Sequence, residues 1–314
     1  MAPQIHVIHE NAEWSAPLFA QLEARGLPYQ DWFIHERTLD LQEAPPEGVF
    51  YNRMSASSHT RGHRYSPELT AGILAWLEAH GRTVWNGTRA LQLELSKIDQ
   101  AMTFRRYAIP TPRTIAAVGK AQILEAAQKM SGPFITKHNR AGKGLGVRLF
   151  YSVEGLVQHL ESPAFEPSVD GITLIQQYIK APAPFITRME FIGQRFHYAV
   201  RVDTSEGFEL CPADACQIGD LACPATPEVG AKNKFELIPD FDHPLIPAVQ
   251  RLLEEQRIFV AGVEFIVDAE GRPYVYDLNT NTNYNSGAET RAGGQKTGMG
   301  RLAEALGGAL AALR

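Results

Sequence analysis

Basic residues and glycines are concentrated in one short stretch of this sequence, between two apolar runs. Residues 133–150 read PFITKHNRAGKGLGVRLF. Lysine and arginine pair with anionic oxygens, and glycine lets a backbone N–H approach a ligand closely or adopt positive φ. The stretch therefore suits a phosphate-binding loop, although an ordinary basic surface hairpin has the same composition. The candidate phosphate-binding residues are Lys137, Arg140, Gly142, Lys143, Gly144 and Gly146.

The loop differs from the Walker phosphate-binding motif in its spacing and in the type of element after it. A Walker loop ends in Gly-Lys-Ser/Thr and leads into a helix. Here the residues after the loop are GVRLF, which are typical of a strand. We therefore expect a glycine-rich hairpin that lies over a ligand.

Two carboxylates and an amide occur in a second hairpin pattern, VEFIVDAEGRPYVYDLNTN, at residues 263–281. Asp277 and Asn279 are two positions apart on one predicted strand and share a face. Glu264 lies on the preceding strand, so the three side chains can converge. Such oxygens are ligands of Mg²⁺, which keeps water or phosphate in its remaining positions. A solvated acidic face is the alternative, but it explains poorly a carboxylate within the apolar strand YVYDLN.

A polar loop at residues 51–68, YNRMSASSHTRGHRYSPE, comes after a predicted strand and carries several cations and hydroxyls. Its composition suits a small acidic ligand, although solvated surface charges explain it equally well. The sequence NTNTNYNSGAE, after the second hairpin, is rich in amides and is a further candidate for ligand contact. The candidate substrate-binding residues are Arg53, Ser55, His59, Arg61 and Asn281.

The elements that must position these residues change in type along the chain. Short apolar runs alternate with amphipathic helices over the first ninety or so residues, which predicts a parallel, Rossmann-like sheet. Ser96 and Asp99 mark the start of a helix, and a new unit of strands and helices runs to about residue 180. The remainder is richer in strands and ends in an apolar helix. Residues 223–244 are irregular and predict a surface loop, whereas FELCP at 208–212 predicts a strand.

Composition and charge exclude several classes of protein. The 314 residues carry a net charge of -5 with a pI near 6.1, which argues against a general nucleic-acid binder. No apolar run approaches the ~18 residues that a membrane span needs, and the first residues do not form a signal-peptide core. We therefore expect a cytoplasmic protein without nucleic-acid or membrane partners.

The cysteines Cys211, Cys216 and Cys223 lack the paired short spacings of a zinc ribbon. A metal site that they share with His197 or His243 is an alternative, but reduced thiols are the simpler interpretation.

Taken in order, these motifs over residues 90–290 resemble the ATP-grasp enzymes, especially the branch of the ribosomal-protein glutamate ligases and other carboxylate–amine ligases. LSKIDQAMTFRRYAIPTPRT resembles the segment that opens their nucleotide-binding core, and Lys97 matches its phosphate-binding lysine. Lys137 matches the second such lysine, before the flexible loop. The segment LIQQYI resembles the hinge whose backbone contacts adenine. The hinge residues carried over are Gln176, Gln177, Tyr178 and Ile179.

The resemblance also covers the strands after the hinge. Arg188 and Arg201 match arginines near the phosphate and the acyl substrate, and Arg201 is the first choice for the oxyanion of the acyl phosphate. Glu264, Asp277 and Asn279 match the metal ligands. The chain departs from many relatives at three positions: they carry glutamate at Gln177, aspartate at Thr187 and glutamate at Asp277.

The resemblance implies an α/β protein with α+β subdomains, in which an ATP-grasp fold comes after a Rossmann-like domain. The expected boundaries are 1–92 for the leading domain, 93–180 for the subdomain with the glycine-rich loop and 181–314 for the subdomain with the metal hairpin. The implied cofactors are ATP and Mg²⁺, with Mn²⁺ as an alternative. The implied reaction joins a small carboxylate to an amine, from an amino acid or peptide, through an acyl phosphate that the loop 139–146 shields from water.

Two other functions remain open at this stage. A phosphotransferase of the same fold would act on a hydroxyl, and a nucleotide-binding protein without turnover would have the same fold and no reaction. The identity of the substrates and the oligomeric state, including a homo-oligomer, are left open by the sequence.

Overall fold

The computed structural model of the chain describes residues 2–142, 144, 146–205, 234–294 and 297–313. These residues form three β-sheets, with helices packed on their faces. The predicted strand at 208–212, Lys143 and the three cysteines lie outside the described residues. No helix within those ranges is both long enough and apolar enough to cross a membrane.

The first sheet is parallel, as the alternation of strands and helices predicts. Its strands are β1 (Gln4–His9), β2 (Tyr29–Phe33), β3 (Gly48–Asn52) and β4 (Thr83–Trp85), in the order β2-β1-β3-β4. The helices along this part of the chain are α1 (Ala12–Ala24), the 3₁₀ helix Ser58–Arg61 and α2 (Ser66–Ala79). Asn11 caps α1 by accepting a bond from Trp14 N, and Gly26 lies just past the helix end with φ 62°. The relation of this sheet to Rossmann domains stays a prediction.

The second sheet contains the glycine-rich hairpin. The elements of this part of the chain are α3 (Thr88–Leu95), α4 (Lys97–Arg106), β5 (Thr114–Val118), α5 (Lys120–Gln128), β6 (Phe134–His138), β7 (Arg148–Phe150), α6 (Val153–Glu161) and β8 (Ile172–Gln177). The strands pair antiparallel in the order β5-β8-β6-β7. Ser96 caps α4 by accepting a bond from Asp99 N, as predicted. The loop between β6 and β7 is therefore a hairpin connection.

The third sheet has five strands and carries the acidic hairpin. The elements of this part of the chain are β9 (Phe185–Ile192), β10 (Arg195–Asp203), β11 (Phe235–Ile238), α7 (Leu245–Glu255), β12 (Val260–Val267), β13 (Pro273–Asn279), α8 (Ser286–Arg291) and α9 (Gly298–Ala311). The strand order is β11-β10-β9-β12-β13, antiparallel throughout.

The prediction of a surface loop over 223–244 is wrong at Phe235–Ile238, which forms β11. This strand pairs with β10 and satisfies backbone groups on the edge of β10 that faces away from β9. The four-residue run FELI is too short to distinguish from a loop by its own pattern. Helix α8 was likewise not predicted.

The last helix, α9, packs against the first sheet, so the two ends of the chain share one core. Its buried residues Met299, Leu302 and Leu306 pack in one core with Ile5 and Leu18 of the first sheet and its helix. The apolar helical spacing of α9 predicts this burial but not the sheet on which it falls. The domain boundaries predicted at 92 and 180 stay a prediction.

Candidate active site

The acidic hairpin and its neighbouring strand place three charged side chains in one row. Asp277 on β13 lies opposite Glu264 on β12, and Glu264 lies opposite Arg188 on β9. Arg188 Nη1 donates to Glu264 Oε1 at 2.9 Å, and Lys97 Nζ lies 2.7 Å from Asp277 Oδ1. Residues opposite one another on antiparallel strands point to the same face, so this row forms one wall of a site.

A second row lies beside the first, and each of its residues is two positions from a residue of the first row on the same strand. Asn279 lies opposite Gly262, and Gly262 lies opposite Glu190. Arg188 Nε donates to Glu190 Oε1 at 2.6 Å. A Cβ at Gly262 would lie 2.4 Å from Arg188 Nη2, so the missing side chain leaves the space that the guanidinium occupies.

Two cavities meet at these rows. The larger cavity has a volume of about 420 Å³ and the smaller one about 110 Å³. Glu264 and Asp277, together with Gly142 and Gly144 of the glycine-rich loop, line both of them. The place where the cavities join is therefore bordered by the acidic hairpin on one side and by the glycine-rich loop on the other.

The predicted metal ligands lie together at the smaller cavity, and two of them also line the larger one. Glu264, Asp277 and Asn279 line the smaller cavity together, as the hairpin pattern predicts. Among the described residues, no three His, Cys, Asp or Glu side chains gather to hold a metal ion. A set of two carboxylates and one amide suits Mg²⁺, which takes few protein ligands and fills its shell with water and phosphate oxygens.

The surroundings shift the pKa values of the two carboxylates, Glu264 and Asp277, in opposite directions. Burial raises the pKa of Glu264, and the charge of Asp277 raises it further against the opposite effect of Arg188. Burial also tends to raise the pKa of Asp277, but the charges of Lys97 and Lys137 outweigh it and hold that pKa below its usual value. A divalent cation between the two carboxylates would stabilise both in their charged forms.

Lys137 is buried on the wall of the larger cavity. Its Nζ donates to Tyr276 O at 3.2 Å, and the structure shows no carboxylate in an ion pair with it among the described residues. Burial, and then the like charge of Lys97, lower the pKa of Lys137 to about 7. An anion placed beside Lys137 and Lys97 would relieve both effects, so the two lysines suit phosphate oxygens.

The predicted hinge segment lines the larger cavity. Residues 176–179 border it together with the apolar side chains of Ile135, Ile186 and Ile266. Gln176 Nε2 donates to Thr114 Oγ1 at 2.7 Å, which fixes the end of β8 against β5. A flat apolar ring system fits such walls, and the backbone of the segment supplies polar groups along its edge.

The glycine-rich loop contributes backbone rather than arginine to the site. Gly144 and Gly146 have φ of 76° and 72°, where glycine is strongly favoured. Arg140 lies in neither cavity: its Nη1 donates to Glu68 Oε1 of α2 at 2.8 Å. The structure therefore gives no support to the phosphate role of Arg140, which stays a prediction, because its guanidinium anchors the loop to α2. Gly146 does not line either cavity, and Lys143 is not described.

Arg201 lines neither cavity, so the structure gives no support to its role at the oxyanion, which stays a prediction. Arg188 lies opposite Val200, and Val200 and Val202 line the smaller cavity. Because side chains alternate along a strand, Arg201 between them points to the other face. Its side chain is half exposed and stacks over the ring of Phe185 at 4.6 Å. Of the two predicted arginines, only Arg188 borders the cavity.

Cations of the polar loop at 51–68 are paired with groups of the protein itself, among them Glu10 from outside the loop. Arg61 Nη2 donates to Glu10 Oε1 at 2.6 Å, and His59 Nδ1 lies 3.2 Å from Ala56 O. Arg53 is buried behind the cavity wall. The cations of this loop therefore do not line the cavity as predicted, whereas Ser55 does.

Several residues of the smaller cavity were not predicted from the sequence. Glu190 is two positions after Arg188 on β9, so the strand period alone indicates that both share a face. Asn281, which was predicted, is joined by Asn283 and Asn285, whose alternation in NTNTNYN was the available signal. Trp14 and Tyr198 come from α1 and β10, and no local pattern identifies them.

Comparison with known proteins supports the fold. No protein-family model matches the chain, and no curated protein matches its sequence. Among solved structures, a RimK domain protein ATP-grasp from Sphaerobacter thermophilus DSM 20745 superimposes with a TM-score of 0.61 and 18% identity, covering 96% of this chain and 99% of the other. The ATP-grasp ligase PsnB complexed with minimal precursor gives a TM-score of 0.67 and 18% identity, over 98% and 99% of the two chains.

A third similar structure is D-alanyl-alanine synthetase A from Vibrio cholerae O1 biovar eltor str. N16961. It gives a TM-score of 0.66 and 14% identity, over 99% of both chains. The chain therefore has the ATP-grasp fold that its motifs predict, and the similarity to the solved structures extends over nearly its whole length. At these identities the comparison establishes the fold and leaves the reaction to the site.

Proposed function

We propose that this protein is an ATP- and Mg²⁺-dependent ligase that joins a carboxylate to an amine through an acyl phosphate. The observation that carries the proposal is the junction of the two cavities. There the buried Lys137 and the partly buried Lys97, which is paired with Asp277, line one cavity with the carboxylates Glu264 and Asp277. Gly142 and Gly144 of the glycine-rich loop border the same place. Anionic phosphates and divalent cations together complement such a site.

In this proposal the larger cavity holds the nucleotide. Its apolar walls and the segment 176–179 contact adenine, and Lys97, Lys137 and the loop glycines bind the phosphates. Glu264, Asp277 and Asn279 would hold Mg²⁺. When bound, the ion would neutralise part of the phosphate charge. PsnB has been solved with Mg and ADP, which is consistent with the same cofactors here.

The chemistry then needs little from side chains beyond binding and orientation. An oxygen of the substrate carboxylate attacks the γ-phosphorus, ADP leaves, and an acyl phosphate forms. The amine attacks its carbonyl carbon, inorganic phosphate leaves, and the nitrogen loses a proton. Arg188 is the chain's own cation at the wall of the smaller cavity, held in place by Glu190, Glu264 and Thr282. Its guanidinium is suited to stabilise the negative charge that develops on the carbonyl oxygen.

The smaller cavity is the proposed site of the substrates. It combines amide and hydroxyl groups with the apolar side chains of Trp14, Val200 and Phe235. We infer an amino acid or a peptide as substrate. The similar structures include a synthetase of D-alanyl-alanine and a ligase solved with a precursor peptide, which supports this class.

The test is phosphate release from ATP with Mg²⁺, against amino acids, short peptides and small carboxylic acids, singly and in pairs. We expect release to require both a carboxylate and an amine, and hydroxylamine to trap the activated carboxylate as a hydroxamate. Transfer of phosphate to a hydroxyl compound without hydroxamate would establish a phosphotransferase instead. Nucleotide binding without phosphate release from any pair would indicate a protein without turnover and would overturn the proposal.

A further inference from the structure

Three asparagines line the smaller cavity in a regular pattern. Asn281, Asn283 and Asn285 border it, whereas Thr282 and Tyr284 between them are buried and do not line it. The segment begins two residues after Asn279 of the metal hairpin. None of the three asparagines lines the larger cavity, so they face the part of the site away from the nucleotide.

The orientation of each amide is set by bonds to its oxygen. Asn283 Oδ1 accepts from Arg53 Nη2 at 2.7 Å, and Asn281 Oδ1 accepts from Arg53 Nε at 3.3 Å. Asn285 Oδ1 accepts from Ala288 N at 2.6 Å, as the N-cap of α8. The oxygens are thus used within the protein. Among the described residues, the Nδ2 groups of these asparagines have no acceptor, so the amide N–H donors are available to a ligand.

Arg53 gives this wall an uncompensated positive charge. It is 2% exposed, and its other bonds go to the neutral carbonyl oxygens Trp14 O at 2.9 Å and Thr282 O at 3.4 Å. Within the described ranges no carboxylate forms an ion pair with it. A buried cation without a counter-charge is costly, and burial lowers the pKa of Arg53. An anion bound on the asparagines would supply the missing charge.

The other charges of the smaller cavity are already used. Arg188 is paired with Glu190 and Glu264. Glu94 accepts bonds from Ala56 N and Thr280 N, so its carboxylate is held by backbone rather than by Arg53. The combination of amide donors in front and a buried cation behind is therefore specific to the wall formed by Asn281, Asn283 and Asn285.

We propose that Asn281, Asn283 and Asn285, with Arg53 behind them, bind the free carboxylate of the amine substrate. This inference rests on the proposed function and specifies its acceptor: a free amino acid, or a terminal residue with a free carboxylate. The reacting carboxylate belongs at the metal row, where both cavities meet, so the anion bound here is a second one.

The test compares the twenty common amino acids with their C-terminal carboxamides as acceptors, with hydroxylamine as a third acceptor that has no carboxylate. We expect the wild-type protein to prefer the free acid over its carboxamide by at least about tenfold in kcat/KM, because a charge-assisted hydrogen bond contributes at least that factor. Hydroxamate formation reports activation of the carboxylate substrate and does not depend on the proposed carboxylate site.

The decisive variant is Asn283→Asp. It keeps the oxygen that accepts from Arg53, so the fold is retained, but it replaces the amide donor with a charged oxygen. We expect the preference for the free acid to fall at least about tenfold or to reverse. Asn281→Asp is the second variant if the first does not fold. Gln128→Glu on the exposed face of α5 is the control, since it adds the same charge far from the cavity.

Each outcome separates this inference from the function on which it rests. Carboxamides used as well as free acids would overturn the carboxylate site while the ligase assignment stood. An unchanged preference in Asn283→Asp would overturn it as well. Hydroxamate without any product from an amino acid would exclude amino acids as acceptors. Absence of both hydroxamate and phosphate release would instead contradict the proposed function itself.

Discussion

Gly262 is the position at which a single methyl group tests the geometry of the active site. In Gly262→Ala the new Cβ would lie 2.4 Å from Arg188 Nη2 and 2.8 Å from its Cζ. Ordinary contacts of a Cβ begin at 3.4 Å, so the guanidinium has to move by about 1 Å. The Arg188 side chain is flexible, and the strand itself does not need to shift.

The movement has a small effect on folding and a large effect on turnover. Overpacking at a buried site costs about 1–3 kcal/mol of the free energy of unfolding, which lowers the melting temperature by several degrees. A misplacement of about 1 Å in a catalytic group can cost about 10²-fold in rate. We therefore expect kcat/KM to fall about 10²-fold in a protein that still folds and still binds ADP in the larger cavity.

The assay is phosphate release at saturating ATP with the substrate pair found in the screen. Gly72→Ala is the matched control, because it adds the same methyl group to α2 with no atom within 4 Å. That variant keeps wild-type activity and gains stability from the helix propensity of alanine. Arg188→Met should lose activity as far as Gly262→Ala does, and the double variant should lose no more than the larger single loss. Wild-type turnover in Gly262→Ala would refute the placement of Arg188.

Three further predictions address other parts of the site. Asp277→Asn should lower ADP release at least about 10²-fold with an unchanged unfolding transition, because it removes a metal-binding charge while its remaining oxygen can still accept from Lys97. Arg201→Ala should change kcat/KM by less than about threefold, because the side chain faces away from the cavity and its stacking on Phe185 contributes only about 0.5–1 kcal/mol. Glu68→Gln should lower the free energy of unfolding at neutral pH by about 1 kcal/mol or less, because the carboxylate is partly exposed. Burial tends to raise the pKa of Glu68, but Arg140 and Arg64 outweigh it and hold the pKa at about 2. The additional free energy of unfolding of the wild type is therefore fully present above about pH 4.3, the pKa of glutamate in the unfolded chain, and is lost as the pH falls toward 2.

The measurements that decide these predictions are independent of one another. ADP release at the wild-type rate from Asp277→Asn would count against the metal site. A tenfold or greater loss in Arg201→Ala would restore the role first expected for that arginine. For Glu68→Gln, we expect urea unfolding between pH 7 and pH 3 to show that the difference in free energy of unfolding between wild type and variant becomes smaller as the pH falls. A difference that does not change with pH would mean that the charge of Glu68 does not contribute.

The predicted residues lie together in the structure where the signal in the sequence is local. Glu264, Asp277 and Asn279 were identified from a strand period and a turn, both of which extend over a few residues. The cap of α4 and the hairpin around the glycine-rich loop depend on neighbours in the chain in the same way. The cytoplasmic location and the domain boundaries stay predictions.

The predictions that the structure does not support fall on side chains that can be used in more than one way. Arg140 and Arg61 have the residue type that binds anions, but each has a carboxylate partner from a distant segment, Glu68 and Glu10 respectively. Arg201 was assigned by its position in a motif, whereas the register between β9 and β10 puts Val200 opposite Arg188. Composition indicates charge in these cases but not what neutralises it.

The amino-acid sequence by itself determined most of the elements, their order and the two hairpins of the site, because these depend on periodicity and capping between near neighbours. Only the tertiary structure decided which charged side chains are paired within the protein and which are left to bind a ligand. Arg53 meets Asn281 and Asn283 across more than two hundred residues of chain, and Gly262 makes room for an arginine on another strand. Such contacts are set by strand register and by the packing of separate sheets, which no local pattern contains.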